Sequence, residues 1–314
     1  MGQRFYQIIG LLSAVLLSSS AFAAYKIGIY TDQPSQEKSK GLIEYLKTHP
    51  PFNRYEVEFE IKPMSTQELN CGPAHGIARL ITCDTAHITS VAHKSGIDQA
   101  FVVSNYPVYG GSGGTVPVMT TDSGIPYSTM VHEYLHTIGF GDEYAYRESE
   151  TPLYCTKQNM ARYINLAVIE PLGSYSGDYD ARNKHAKQIP WYGKIESSTP
   201  IATTILGTPN QGQEVIGLFK ARTCQNSPTR ITVWRPGESI NVMEKLSAGM
   251  NELEPLVHEA MDSKGLRRKD GTTDIQLGQQ DEPCDQTTPT KPTFGGFFEQ
   301  LGNFLKSLFG KLFG

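Results

Sequence analysis

Apolar and polar residues alternate through YKIGIY (residues 25–30) and YEVEFEIKPM (55–64), the two-residue period of a strand with one buried face. Between them, SQEKSKGLIEYLKTHPP carries Leu42, Ile43, Tyr45 and Leu46 as a helical stripe that the double proline Pro50–Pro51 ends. QAFVVSNYPV (99–108) and GTVPVMTT (114–121) predict a third and a fourth strand. Pro117 has no N–H to give to a ladder, which predicts that the fourth strand lies at a sheet edge, open to an extended peptide. Residues 127–138 predict a helix with Pro126 at its first turn and Met130, Val131, Tyr134, Leu135 and Ile138 on its buried face. From about 147 to 240 the periodicity weakens around GSYSGDYDARNKH, with strand-like pieces at EVIGLF and RITVW. NELEPLVHEAMDSK (251–264) returns to helical spacing. Strand, helix, further strands and then helices, without internal repeats, predict an α+β fold with a mixed sheet.

Both ends differ from this body. Arg4, the apolar run from Ile8 to Leu17 and the small-x-small Ala21-Phe22-Ala23 read as a signal peptide over 1–23, too short for a membrane span. A secreted or periplasmic protein follows. Residues 24–282 are expected to form one catalytic domain, 24–126 as an N-terminal subdomain and 127–282 with the histidine helix, an insertion and a closing helix. Pro283, Pro289 and Pro292 among threonines predict a linker over 283–293. In 294–314, Phe294, Phe297, Phe298, Leu301, Phe304, Leu305 and Leu308 share one helical face. That pattern predicts an amphipathic helix for a membrane surface or a partner protein, with packing onto its own domain as the alternative.

A net charge of −4 in 314 residues shows no basic excess and argues against a nucleic-acid partner. Export turns the cysteines into candidate staples. Cys71 with Cys83 closes a short loop and Cys155 with Cys224 a long one, although four cysteines allow three connectivities; Cys284 is left over.

The candidate chemistry sits in TMVHEYLHTIGFGDEYAY (129–146). Four residues apart on a helix, His132 and His136 share a face, so two imidazoles can reach one zinc ion, with Glu133 free to hold a water. Gly139 can leave the helix at positive φ and turn the chain so that Asp142 reaches the metal. Glu143, Glu148, Glu150, His185 and His258 compete for the third position. His185 lies in a polar stretch and is expected to be solvent-exposed, and His258 on an amphipathic helix to be structural. Glu143 and Tyr144 are expected to orient or close the site, with ordinary surface positions as the alternative. Tyr144, Tyr175, Tyr179 and Tyr192 are candidate oxyanion donors.

HEYLHTIGFGD resembles the zinc-binding motif of the metzincin clan, with aspartate in place of the usual third histidine. WRPGESINVMEK offers Met243 where that resemblance implies a methionine turn beneath the metal, and the helix from about Asn251 resembles the clan's closing helix. GDEYAY, IPWYGKI, GLFKA and WRPGESINVME are similar to the IgA-peptidase family within the clan, over about residues 100–262. The roughly 100 residues between Asp142 and Met243 are a long insertion by that pattern. The resemblance implies a metzincin-like zinc metallopeptidase domain with one Zn2+ per chain, acting on a protein or peptide substrate. On the residues alone, two other classes stay open: a zinc amide hydrolase acting on cell-wall peptides, and a non-catalytic secreted binding protein.

Overall fold

The computed structural model describes residues 24–122, 124–207, 215–229 and 231–273. The segments predicted as a signal peptide (1–23), a Pro/Thr linker (283–293) and an amphipathic helix (294–314) lie outside the described residues.

A seven-stranded mixed sheet organises the chain. Its strands are β1 (Tyr25–Thr31), β2 (Val57–Pro63), β3 (Gly72–Ala74), β4 (Ile77–Thr82), β5 (Gln99–Ser104), β6 (Gly111–Ser112) and β7 (Val118–Thr120). The spatial order is β2-β1-β5-β7-β6-β4-β3, and the first four run parallel. β6 pairs antiparallel to β7 and parallel to β4, and β3 closes the far edge antiparallel to β4.

Among the described residues five longer helices accompany it: α1 (Gln36–Thr48), α2 (Thr85–Lys94), α3 (Ser128–Thr137), α4 (Asp178–His185) and α5 (Glu254–Ser263). The strand period divides the side chains between two cores. Ile27 and Ile29 of β1 and Phe101 and Val103 of β5 join one cluster with Leu42 and Leu46 of α1, Met130 and Tyr134 of α3, and Val257 of α5. Tyr30, Ala100 and Val102 point the other way and pack with Ile88 and Ala92 of α2. A strand covered on both faces reads as a continuous apolar run, which is why AFVV lacks alternation.

The fourth predicted strand is not an edge. β7 lies between β5 and β6, and Pro117 stands just before it, lending only its carbonyl to the Val102 N–H at 2.8 Å. The edges are β2 and β3, so no open ladder is available at 114–121 for an added peptide. The hairpin β3–β4 and the two-residue β6 escape the periodicity because they are short and only partly buried. Cys71–Cys83 ties the ends of that hairpin, and Cys155–Cys224 closes the long loop, so the short-and-long pairing is the one adopted. α2 also went unread: Asp84 caps it through the His87 N–H, but its polar and β-branched residues blur the stripe.

After α3 the chain turns at Gly139, φ +107°, and the Phe140 N–H returns to the Leu135 carbonyl. A methyl there would be strained by the backbone, as the motif requires of its glycine. The described residues of 139–250 then form α4, shorter helical turns and a small antiparallel sheet of β8 (Ala167–Val168), β9 (Phe219–Lys220) and β10 (Val233–Arg235), ordered β8-β10-β9. Among the described residues no helix is long and apolar enough to cross a membrane.

Candidate metal centre

The histidine helix α3 is buried on nearly every side, with Met130 and Leu135 fully enclosed. His132 and His136 leave it on one face, and their Nε2 atoms stand 3.1 Å apart. Asp142 Oδ1 lies 3.0 Å from the first and 3.2 Å from the second. Each ring is turned by its other nitrogen: His132 Nδ1 lies 2.9 Å from the Val242 carbonyl and His136 Nδ1 2.8 Å from the Phe140 carbonyl. A carbonyl can only accept, so each Nδ1 must carry a proton, and the Nε2 atoms are the ones left to face Asp142 or a metal ion. Asp142 Oδ1 is buried and receives no hydrogen bond, while Oδ2 accepts from the Tyr146 hydroxyl at 2.9 Å.

Two imidazole nitrogens and a carboxylate oxygen, the atom types that bind zinc, converge in a triangle of 3.0 to 3.2 Å. Such a cluster repels itself unless a cation joins it. Tetrahedral zinc at about 2.0–2.1 Å from each ligand needs edges of about 3.3 Å, so two imidazoles and a carboxylate at these separations fit that ion. Glu133 also stands near, one carboxylate oxygen and the two imidazole nitrogens all within 4.8 Å of one another. The Asp142 oxygen is closer to both rings. Burial opposes charge on Asp142, but the flanking imidazoles win and hold its carboxyl far below the usual range. Burial likewise opposes charge on His136, yet Asp142 and Glu133 push it up to about 9. Burial raises Glu133 as well, against the pull of His132 and His136. Either a proton or a metal ion satisfies this pocket.

The support is built from distant segments. Asn165 brackets Gly141 with two hydrogen bonds and donates to Glu143 Oε1 at 2.9 Å. Glu143 is fully buried, not a surface residue: its Oε2 accepts from Asn241 at 2.8 Å and Arg235 at 3.2 Å, and its N–H donates to the Met243 carbonyl. Met243 itself is fully enclosed, and the adjoining Val242 carbonyl orients His132. The Tyr144 ring lies nearly parallel to that of His132 at 6.2 Å. Thr223 donates to the Asp142 carbonyl at 2.7 Å, next to the disulfide at Cys224.

Beta-strand backbone approaches the helix from the other side. A methyl on Gly111 would lie 2.9 Å from Glu133 Oε1, and one on Gly113 2.2 Å from His136 Cβ. The glycines of GGSGG thus permit β6 and the residue after it to lie against the histidine helix. A cleft of about 120 Å³ opens here, lined by Arg79, Tyr109, His132, Glu133, Tyr144 and Lys245 among others.

The other predicted residues lie elsewhere. His185 is not exposed: it is buried, with Nε2 2.7 Å from the Tyr175 hydroxyl and Nδ1 2.7 Å from Gln188. Tyr175 is thereby engaged away from the imidazole pair, and Tyr179 is among the most exposed side chains. Tyr192 packs against the main core. His258 is structural as expected, held by Tyr55 at 2.8 Å. Glu148 is exposed and Glu150 is paired with Arg79. Sequence reasoning missed Arg79, Tyr146, Asn165, Arg235 and Asn241. Only Tyr146 had a local signal, one helical turn beyond Asp142 in GDEYAY.

No protein-family model matches the chain, so the likeness of its motifs to the IgA-peptidase family has no counterpart there. No curated protein matches it either. Among solved structures it is similar to the archaemetzincin of Methanopyrus kandleri, with 14% identity and a TM-score of 0.27 over 38% of this chain and 76% of that one. A likeness that faint says nothing of this chain's chemistry.

Proposed function

We propose that this protein is an exported zinc-dependent metalloendopeptidase, with one zinc held by His132, His136 and Asp142. The observation that carries this reading is the triangle of two imidazole Nε2 atoms and one carboxylate oxygen, with both rings turned towards it by carbonyls that take their Nδ1 protons. Three protein ligands leave a fourth position open, the arrangement of catalytic rather than structural sites. Two disulfides support an oxidising compartment.

Zinc, when bound, supplies a Lewis acid that lowers the pKa of water from about 15.7 toward 7 and polarises a carbonyl. Glu133 accepts the proton of the attacking water and passes it to the leaving amine; its recess, which raises its pKa, suits it to both roles. Tyr144 lines the same cleft, and burial holds its hydroxyl protonated, so it can donate to the developing oxyanion. Met243 serves as the packed floor behind His132, in the manner of the methionine turn its motif resembles. Glu143 holds that turn against the Asp142 segment.

Elemental analysis of gently purified protein should find about one zinc per chain. A broad peptide-library digest, run beside purified cell-wall material, should show cleavage of internal peptide bonds. Glu133→Gln should keep the zinc and lose nearly all hydrolysis, because an amide cannot take the proton. Near-normal turnover by that variant would make the mechanism wrong, and digestion of cell-wall material alone would move the substrate to that polymer.

A further inference from the structure

The cleft beside Glu133 carries two cations that the proposed hydrolysis does not use. Arg79 reaches it from β4, with its side chain 40% exposed. Its Nη2 donates to both Glu150 oxygens, at 3.0 and 3.2 Å, and its guanidinium lies 5.9 Å from the centre of the Tyr144 ring. A guanidinium has five N–H donors in a rigid fork. Glu150 holds part of that fork still, and Arg79 lines the cleft with the rest.

Lys245 stands on the opposite segment, just past the turn that positions His132. It is exposed, and among the described residues its ammonium has no ion pair. The carboxylates nearby are already answered: Glu244 meets Arg235 at 2.5 Å and Arg222 at 3.7 Å, and Glu133 lies beside the two imidazoles. Thr129, also on the lining, is buried with a hydroxyl that makes no hydrogen bond. At about 120 Å³ the space suits one side chain or chain end.

We propose that this cleft recognises a carboxylate of the substrate, with Arg79 and Lys245 as its specificity-determining residues. The proposal rests on the peptidase reading for its substrate class. An anchored guanidinium loses little freedom on binding, and a charge-assisted pair to a carboxylate is about twice as strong as a neutral hydrogen bond. A lysine or arginine side chain at the same subsite meets two like charges and is rejected.

The carboxylate can come from an acidic side chain or from the chain terminus, and one peptide series separates them. Acetylated peptides carrying Glu or Gln at each position in turn are made both amidated and with a free C-terminus. Full-length wild type should cleave the Glu peptide at least about 10-fold faster than its Gln twin at one position, in kcat/KM. A preference for the free acid over the amide, without a Glu effect, would assign the pocket to the terminus. In both Arg79→Gln and Lys245→Gln the preference should shrink towards one. Lys245 is exposed, so its variant remains informative even if loss of the Glu150 pair unfolds the other.

Binding of the same labelled peptides to Glu133→Gln, by fluorescence anisotropy, gives a second reading that needs no turnover. Should wild type cut no peptide while Glu133→Gln still prefers the carboxylate, and the added Lys245→Gln removes that preference, the peptidase reading fails and the pocket stands. Equal treatment of Glu and Gln and of acid and amide, no binding at all, or a preference undiminished in both cation variants overturns the proposal.

Discussion

Replacing Gly113 with alanine tests how closely β6 must approach the histidine helix. The added methyl would lie 2.2 Å from His136 Cβ and 3.0 Å from the Glu133 carbonyl oxygen. Two carbons rest at about 3.5 Å or more, so strand and helix must part by about 1.3 Å. Neither obstacle is the free end of a long side chain. One is a Cβ fixed to the helix and the other is backbone. Overpacking of this kind costs about 1–3 kcal/mol, and the rigidity of both partners puts Gly113→Ala near the upper end. For a domain of this size about 3 kcal/mol lowers Tm by about 6–12 °C. The displaced group is a proposed metal ligand, so zinc retention after dialysis should fall in step. Gly173→Ala is the matched control, since a methyl there meets no atom within 4 Å. Its stability should change by no more than about 0.5 kcal/mol. Thermal melts of both variants, with metal analysis, decide the matter. A Gly113→Ala protein that melts with the wild type and keeps its zinc would show that β6 does not press on α3.

Glu143→Leu should cost about 3 kcal/mol in denaturant unfolding, because it strips a buried carboxylate from Arg235, Asn165 and Asn241; a loss under about 1 kcal/mol would mean the network is idle. Met243→Leu keeps volume and apolarity, so it should cost less than about 1.5 kcal/mol and retain zinc. Zinc loss from a folded Met243→Leu protein would give the sulfur a role beyond packing. Replacing both Cys155 and Cys224 by serine frees a loop spanning 69 residues and should cost about 4 kcal/mol, against about 3 for the 12-residue span of Cys71–Cys83. Equal denaturant midpoints for the two serine pairs would contradict that loop-length argument.

Local rules made much of the chain legible. β2 and β5 fall within the stretches where alternating or continuous apolar residues placed them, β1 runs one residue past its own, and α1, α3 and α5 match their helical stripes. The helical period alone puts His132 and His136 on one face, and a glycine alone makes the turn at 139 inexpensive. These properties depend on neighbours within a few residues.

What depended on distant chain could not be read. Asp142 and Glu143 are adjacent acids; the turn at Gly139 pointed to the first for the imidazoles, but left the second between an orienting residue and an ordinary surface one. The tertiary structure turns one to His132 and His136 and the other to Arg235, with Asn165 and Thr223 holding the backbone at Gly141 and Asp142 and Asn241 holding the Glu143 carboxylate. Pro117 suggested an edge, yet β6 arrives from outside the pattern and covers β7. His185 looked exposed in its polar stretch until Tyr175 and Gln188 enclosed it. Arg79 carried no signal, since its meaning comes from a cleft whose other walls are α3, the Tyr144 segment and the turn before Lys245. Backbone preference and periodicity were enough for the long elements, the pair of imidazoles and the turn towards Asp142. The partners of Glu143 and the cleft emerge only on folding, because both arise where side chains far apart in the chain exclude water together.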